Sequence, residues 1–392
     1  MYVTRALSHY QKSPESLAVL PEGPKSGFLV LQDEESERYT CFGLCKRSDL
    51  QDMPFPQNKR LTVTNVQSSG ETTHVQRDPV FLIPVLGHPL SSNLYYAIKP
   101  DGKHKGEAFT CSTEEDKATC CFWRCVKDVK PKPLDPHNIY QQFEISLHLS
   151  CCNNKGSFDA KSMAPDGFPP YFLRRKGWGI EAKTSKNYRL EEALGLNVSL
   201  RKRLPELNIP PSGSEAVVVG KWYCPFVFIK DGTLKDQMKR SAFYEMTLEQ
   251  RWERIFTCQN DRNEGISSSV LVDTVLDREE VLISGSKAKW DERDIKNGVI
   301  WFKRFNAETG ETSVGLRQEI VDQMKWEQER GGWSGGEREL KVKRTEENGQ
   351  FGVWREFGCY ILVERFVLKR MDGSLVMTYS FRHSDKIKSI WM

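Results

Sequence analysis

A period of two in the apolar residues constrains this 392-residue chain more than any motif does. Tyr244, Met246, Leu248, Trp252 and Phe256 occupy five of the seven even positions from 244 to 256, and Ile255 alone is apolar among the six odd ones. Successive side chains of a strand point to opposite faces, so this pattern predicts one long, half-buried strand. Tyr244, Leu248, Trp252 and Ile255 also fit one helical face, and the Glu, Gln, Arg and Met content favours helix by propensity; the alternation decides for the strand. The chain closes on a second strand signal. Cys359–Lys369 and Leu375–Arg382 flank the turn Met371-Asp372-Gly373-Ser374, predicting a hairpin. Tyr360, Leu362, Phe366 and Leu368 would share a face interrupted by Glu364, matched across by Leu375, Met377, Tyr379 and Phe381.

Further strands are expected at Gly27–Leu31, Tyr39–Lys46, Leu61–Val66, Val80–Leu86, Asn93–Lys99 and Phe143–Leu149. In the second half they are expected at Ala216–Val219, Trp222–Ile229, Ser269–Val275, Val281–Ser284 and Gly298–Phe305. Leu316–Arg330 is the best helix, with Leu316, Ile320 and Met324 on one face and Gly331-Gly332 as its stop. The expected fold is therefore mostly β, with α+β as the alternative. Its parts are a polar lead-in over 1–26, a β-rich domain over 27–152, a Gly/Ser/Asp/Pro-rich linker over 153–172 and a second β-rich domain over 173–392 with few helices.

The first domain carries an echo. Cys41-Phe42-Gly43-Leu44-Cys45 returns 80 residues later as Cys121-Phe122-Trp123-Arg124-Cys125. Gly27–Asn58 and Glu107–Asn138 share seven identities over 32 positions, against roughly two for unrelated sequences, which points to a tandem duplication. Eight of the eleven cysteines and six of the seven histidines precede residue 153. A metal site is the obvious question. On one extended strand, Cys41 and Cys45 would stand roughly 13 Å apart, too far to share an ion with Zn–S bonds of about 2.3 Å. Reduced, buried thiols are the simpler reading, and no metal or other cofactor is expected. The cluster Cys41, Cys45, Cys120, Cys121 and Cys125 remains the one candidate site.

Net charge is +4 on 110 formal charges, too balanced to make nucleic acid the default partner. The basic stretch from Arg174 to Arg203 is interleaved with Phe172, Trp178 and Tyr188, but no nucleic-acid motif supports it; a solvated face around core aromatics is expected. Gly331-Gly332-Trp333-Ser334-Gly335-Gly336 lacks the Gly-Lys-Ser/Thr of a phosphate loop and reads as a connector. Lys103-His104-Lys105 reads as an exposed basic turn. No apolar run suits a signal peptide or a membrane helix, so an intracellular, cytoplasmic protein is expected.

Several segments together resemble a plant-specific family known as domain of unknown function 1262. They are Met1-Tyr2-Val3-Thr4-Arg5, Glu22-Gly23-Pro24, Cys41–Cys45, Cys120–Val129, Met246-Thr247-Leu248-Glu249-Gln250-Arg251-Trp252 and Leu368–Asp372. The resemblance implies a plant protein and brings no catalytic residues with it; a stress or defence setting is a guess beside it.

No Gly-x-Ser-x-Gly elbow, His-Glu-x-x-His, Walker loop or dinucleotide fingerprint occurs. The leading expectation is a non-catalytic β-rich binding or interaction protein, its partner an unidentified protein or small ligand. A lipid- or membrane-acting β protein is the first alternative, with the segments around 240–257 and 310–330 rearranging into a barrel hairpin. A thiol- or metal-dependent enzyme is the second, pairing Cys121 with His104 or His148.

Overall fold

Long antiparallel strands carry the chain, and the fold is mostly β. The structure is a computed structural model describing residues 1–40, 45–69, 72–120, 123–148, 156–207, 214–260, 269–291, 293–306, 310–348 and 354–392. The chain divides into two units, Met1–Leu194 with Trp222–Tyr244, and Gly195–Lys221 with Glu245–Met392.

In the first unit, residues 1–26 are more than a lead-in. Strand β1 (Tyr2–Ala6) is paired in parallel with β2 (Gly27–Leu31), Tyr2 opposite Gly27. The fully buried Tyr2 donates its hydroxyl to the Pro84 carbonyl at 2.7 Å. Gly27 is needed there, because a Cβ would come within 2.7 Å of the Tyr2 ring. Six further strands follow: β3 (Lys59–Ser69), β4 (Thr72–Pro84), β5 (Leu94–Ile98), β6 (Gln142–Leu147), β7 (Phe158–Ser162) and β8 (Gly179–Thr184). They form one antiparallel sheet in the order β7-β6-β5-β4-β3-β8. The expected linker over 153–172 thus contributes β7, an inside member of the first unit rather than a joint. Its Gly and Pro residues make the turns around the strand. The core packs Phe55, Tyr95, Phe158 and Trp178 with Leu61, Val63, Leu82 and Ile145.

The two echoing segments fold alike locally. A three-residue turn at Glu34–Ser36 is closed by a capping box between Asp33 and Ser36, and one at Glu114–Asp116 by a capping box between Thr113 and Asp116. Carboxylate and hydroxyl have exchanged places, yet each box satisfies the same end groups. A short hairpin follows each turn. Tyr39–Thr40 pairs with Cys45–Lys46, and Lys117–Cys120 with Trp123–Val126. This corrects the single strand expected over Tyr39–Lys46. Thr40 and Cys45 are cross-strand partners rather than members of one continuous strand.

The second unit contains α1 (Val198–Arg203), β9 (Phe243–Gln259, from Glu245 on in this unit), β10 (Ser269–Asp277), β11 (Glu279–Ile283), β12 (Val299–Asn306) and β13 (Gly310–Arg317). It continues with α2 (Gln318–Arg330), β14 (Glu339–Glu347), β15 (Glu356–Arg370) and β16 (Leu375–Trp391). β11, β16, β15 and β9 lie side by side in that order, which makes the alternating 244–256 segment a strand as predicted. The closing hairpin has the expected register over its middle: Leu368 faces Met377, Phe366 faces Tyr379 and Glu364 faces Phe381. β10 pairs with β14 and β12 with β13 in two smaller ribbons. Helix α2 begins two residues after Leu316, which belongs to β13, and buries Ile320 and Met324. The segments around 240–257 and 310–330 are an inner strand of the sheet and a strand running into a helix.

Candidate ligand-binding cleft

An open cleft of about 1030 Å³ lies in the second unit. One wall is the C-terminal half of α2, with Lys325, Gln328 and Glu329. The opposite wall is β11 and the segment after it: Glu279, Glu280 and Val281, then Lys287, Ala288, Lys289, Trp290, Asp291 and Arg293. Asp277, Trp333, Gly335, Gly336 and Arg338 complete the lining. The second wall is anchored by backbone hydrogen bonds. Ala288 N–H donates to the Val281 carbonyl at 2.8 Å, and Lys289 and Lys303 exchange N–H···O bonds of 2.8 Å. Trp290 sits edge-on to Tyr379 (ring centroids 5.7 Å) and is tilted against Phe302 (6.0 Å), so its indole is braced from the core side. Trp333 donates its ring N–H to the Arg382 carbonyl at 3.1 Å, meets Phe381 edge-on at 5.8 Å, and has the Arg278 guanidinium 5.2 Å over its ring.

The cleft's carboxylates are largely committed. Asp277 and Glu280 both reach Lys287, Glu279 accepts from the Tyr379 hydroxyl, and Asp291 pairs with Arg293 at 3.6 Å. The Asp277 hydrogen bond and charge raise the Lys287 pKa. Lys289 and Arg338 are exposed at the mouth.

Behind α2 lies a buried charged cluster that no sequence pattern revealed. Arg201 of α1 donates two hydrogen bonds to the Glu364 carboxylate on β15, at 2.7 and 2.5 Å. His383 on β16 contacts Glu364 Oε2 through Nε2 at 2.9 Å, and Gln250 on β9 donates to Oε1 at 2.8 Å. Glu327 of α2 approaches Arg201 at 3.5 Å. All five residues are buried. Burial raises the Glu364 pKa, but hydrogen bonds from His383 and Arg201 and the Arg201 charge outweigh it, holding the carboxyl down at about 2. The cluster ties two helices to three strands and so fixes the cleft wall that α2 provides. Gly331, read as a helix stop, has a second duty here. A Cβ on it would lie 2.2 Å from Arg201 Nη2 and 3.1 Å from Glu364 Oε2.

The glycine-rich segment is no phosphate cradle. Gly331 N–H donates to Glu327 and Gln328 carbonyls, Gly332 N–H to Glu329 and Trp333 N–H to Gln328, so its first three amides are spent closing the helix.

Only part of the candidate thiol cluster falls within the described residues. Cys41 and Cys121 lie outside the described residues, Cys45 and Cys120 take strand positions in separate hairpins, and Cys125 is exposed. Burial pushes the thiols of Cys111 and Cys224 up to about 11 and raises that of Cys359, as suits packing groups. His104 is paired with Glu107 at 2.7 Å and His148 with Asp159 at 2.9 Å. Among the described residues, no group of three or more His, Cys, Asp or Glu could hold a metal ion. None of their helices is long and apolar enough to cross a membrane. Phe172, Trp178 and Tyr188 are buried as expected of core aromatics, but Arg201 is buried too, contrary to the solvated face expected of its stretch.

No curated protein matches the chain. A solved structure titled "Crystal structure of Cry35Ab1" is similar over 86% of this chain and 90% of that chain, at 12% identity and a TM-score of 0.47. Residues 22–122 match the model of a family described as "Protein of unknown function (DUF1262)", which supports the family resemblance over that segment of the first unit.

Proposed function

We propose that this chain is a non-catalytic binding protein that takes a small ligand into the Trp290–Trp333 cleft of its second unit. The cleft itself carries the reading: about 1030 Å³ of open space, two indoles in its lining and a wall braced from behind by a buried ion cluster. Small-molecule sites are concave, usually of roughly 300–1,000 Å³ and mostly apolar with a few placed polar groups; this cleft matches them in scale and in its two indoles and differs in a strongly charged lining. Carboxylates held by Lys287, Arg293 and Tyr379 suit shape and orientation rather than proton transfer. The plant setting enters this reading through the family resemblance; the stress or defence context is an added conjecture.

Native mass spectrometry of the full chain, purified under reducing conditions, tests it against the denatured mass. An added mass that is lost on denaturing and absent from a folded Trp290→Ala variant supports the proposal. A bare chain, an adduct indifferent to Trp290, or conversion of the bound compound into product overturns it.

A further inference from the structure

We infer that the ligand of this cleft is an uncharged, hydroxyl-rich chain of sugar rings, an oligosaccharide; the inference rests on the cleft being the binding site. Its lining holds ten charged side chains, five acidic and five basic. That balance gives neither a polyanion nor a polycation a net attraction. Polar and apolar surface alternate in the lining, whereas a lipid-like molecule needs a largely apolar one to be desolvated.

Each alternative class meets a specific obstacle. A phosphate-bearing ligand seeks free backbone N–H groups at a helix N-terminus. Here the cleft receives the other end of α2, where the dipole is negative and the N–H groups of Gly331, Gly332 and Trp333 are taken by helix carbonyls. An extended peptide would add to a free strand edge. The strand that lines the cleft, β11, is flanked by β16 on one side and by Ser286–Lys287 on the other.

A sugar ring fits what remains. Its C–H face is apolar and flat enough to lie on an indole, whose own edge is polar. Trp290 offers such a surface, backed by Phe302 and Tyr379 so that little ordering is lost on binding. The ring hydroxyls need acceptors and donors side by side. The Asp277–Lys287 pair supplies both, and Asp291 and Arg293 add an acceptor and a donor at exposed positions of the mouth. The volume of about 1030 Å³ and the open mouth suit several linked rings rather than one.

The test is titration of the full chain with cellohexaose, xylohexaose, mannohexaose and chitohexaose, followed by tryptophan fluorescence and calorimetry. At least one hexaose is expected to bind. Trp290→Ala should weaken it about tenfold or more, since the stacking surface is lost. Because Trp290 also packs against the core, a Lys289→Ala/Arg338→Ala double variant, altered only at exposed positions, is the second probe and should weaken binding with the fold intact by circular dichroism. Failure of all four hexaoses to bind, or binding that survives both variants, overturns the inference. If ATP or a basic or acidic peptide binds instead and depends on Trp290, the sugar assignment falls while the cleft stands as the binding site. If no probe depends on Trp290, both fall.

Discussion

The cores of the two units solve the same problem with opposite chemistry. In the first, Phe158 lies between Phe55 and Trp178, with ring centroids 5.1 and 5.3 Å away, and non-directional apolar burial dominates. In the second, Glu364 interrupts the apolar face of β15 and is surrounded by Arg201, His383 and Gln250. Desolvating those groups costs much of what their pairing returns, so the cluster adds little net stability over an apolar replacement. What it adds is geometry. Hydrogen bonds of 2.5–2.9 Å set where α1 sits on the sheet, while an aromatic cluster tolerates several arrangements of similar burial. The wall of the cleft stands on the directional core.

This contrast can be broken most strongly at its two centres. Glu364→Ala leaves Arg201 buried without its partner and should destabilise the second unit by roughly 3–5 kcal/mol. Replacing both partners, Arg201→Met with Glu364→Leu, should cost far less. Urea denaturation of the two proteins compares them, and equal losses would show that the charges are not coupled. Phe158→Ala should cost the first unit ~3–5 kcal/mol through a cavity, read as lost protection in hydrogen exchange of β6, β7 and β8.

Acid should separate the cores next. The Glu364 carboxyl is at about 2 in the fold against an ordinary 4.5. Its contribution is full above pH 4.5 and fades as pH falls from there through about 2, on the order of 3 kcal/mol in all. Denaturation followed from pH 6 to pH 2 should show that dependence shrink in the Arg201→Met/Glu364→Leu protein. Persistence of the full dependence would assign it to other carboxylates. The smallest effect is expected at Gly331→Ala, where the added methyl must displace the paired guanidinium at a cost of about 1–3 kcal/mol. Unchanged thermal stability would mean that Arg201 yields freely.

Period-two spacing was enough to read β9 and the β15–β16 hairpin, because a strand exposes its faces alternately whatever surrounds it. α2 was readable from the helical period instead, Ile320 and Met324 lying one turn apart before a glycine stop, within two residues at its start. The echo between residues 33–46 and 113–126 showed in local turn chemistry: both begin with a capping box and continue into a hairpin. The partner pairs differ by register, Thr40 with Cys45 in one and Cys120 with Trp123 in the other, a difference that shared cysteine spacing could not convey. Glu364 left a trace as the lone charge on an apolar face, and Trp290 left one as an aromatic among charges. Neither trace named a partner.

The amino-acid order thus settled the class of fold, the long strands and the main helix, since these depend on side-chain periodicity over a dozen neighbouring residues. The cleft and its bracing cluster belong to the packed chain. Arg201, Gln250, Glu327, Glu364 and His383 are scattered across more than 180 residues and meet because burial forces each charge to find a counterpart.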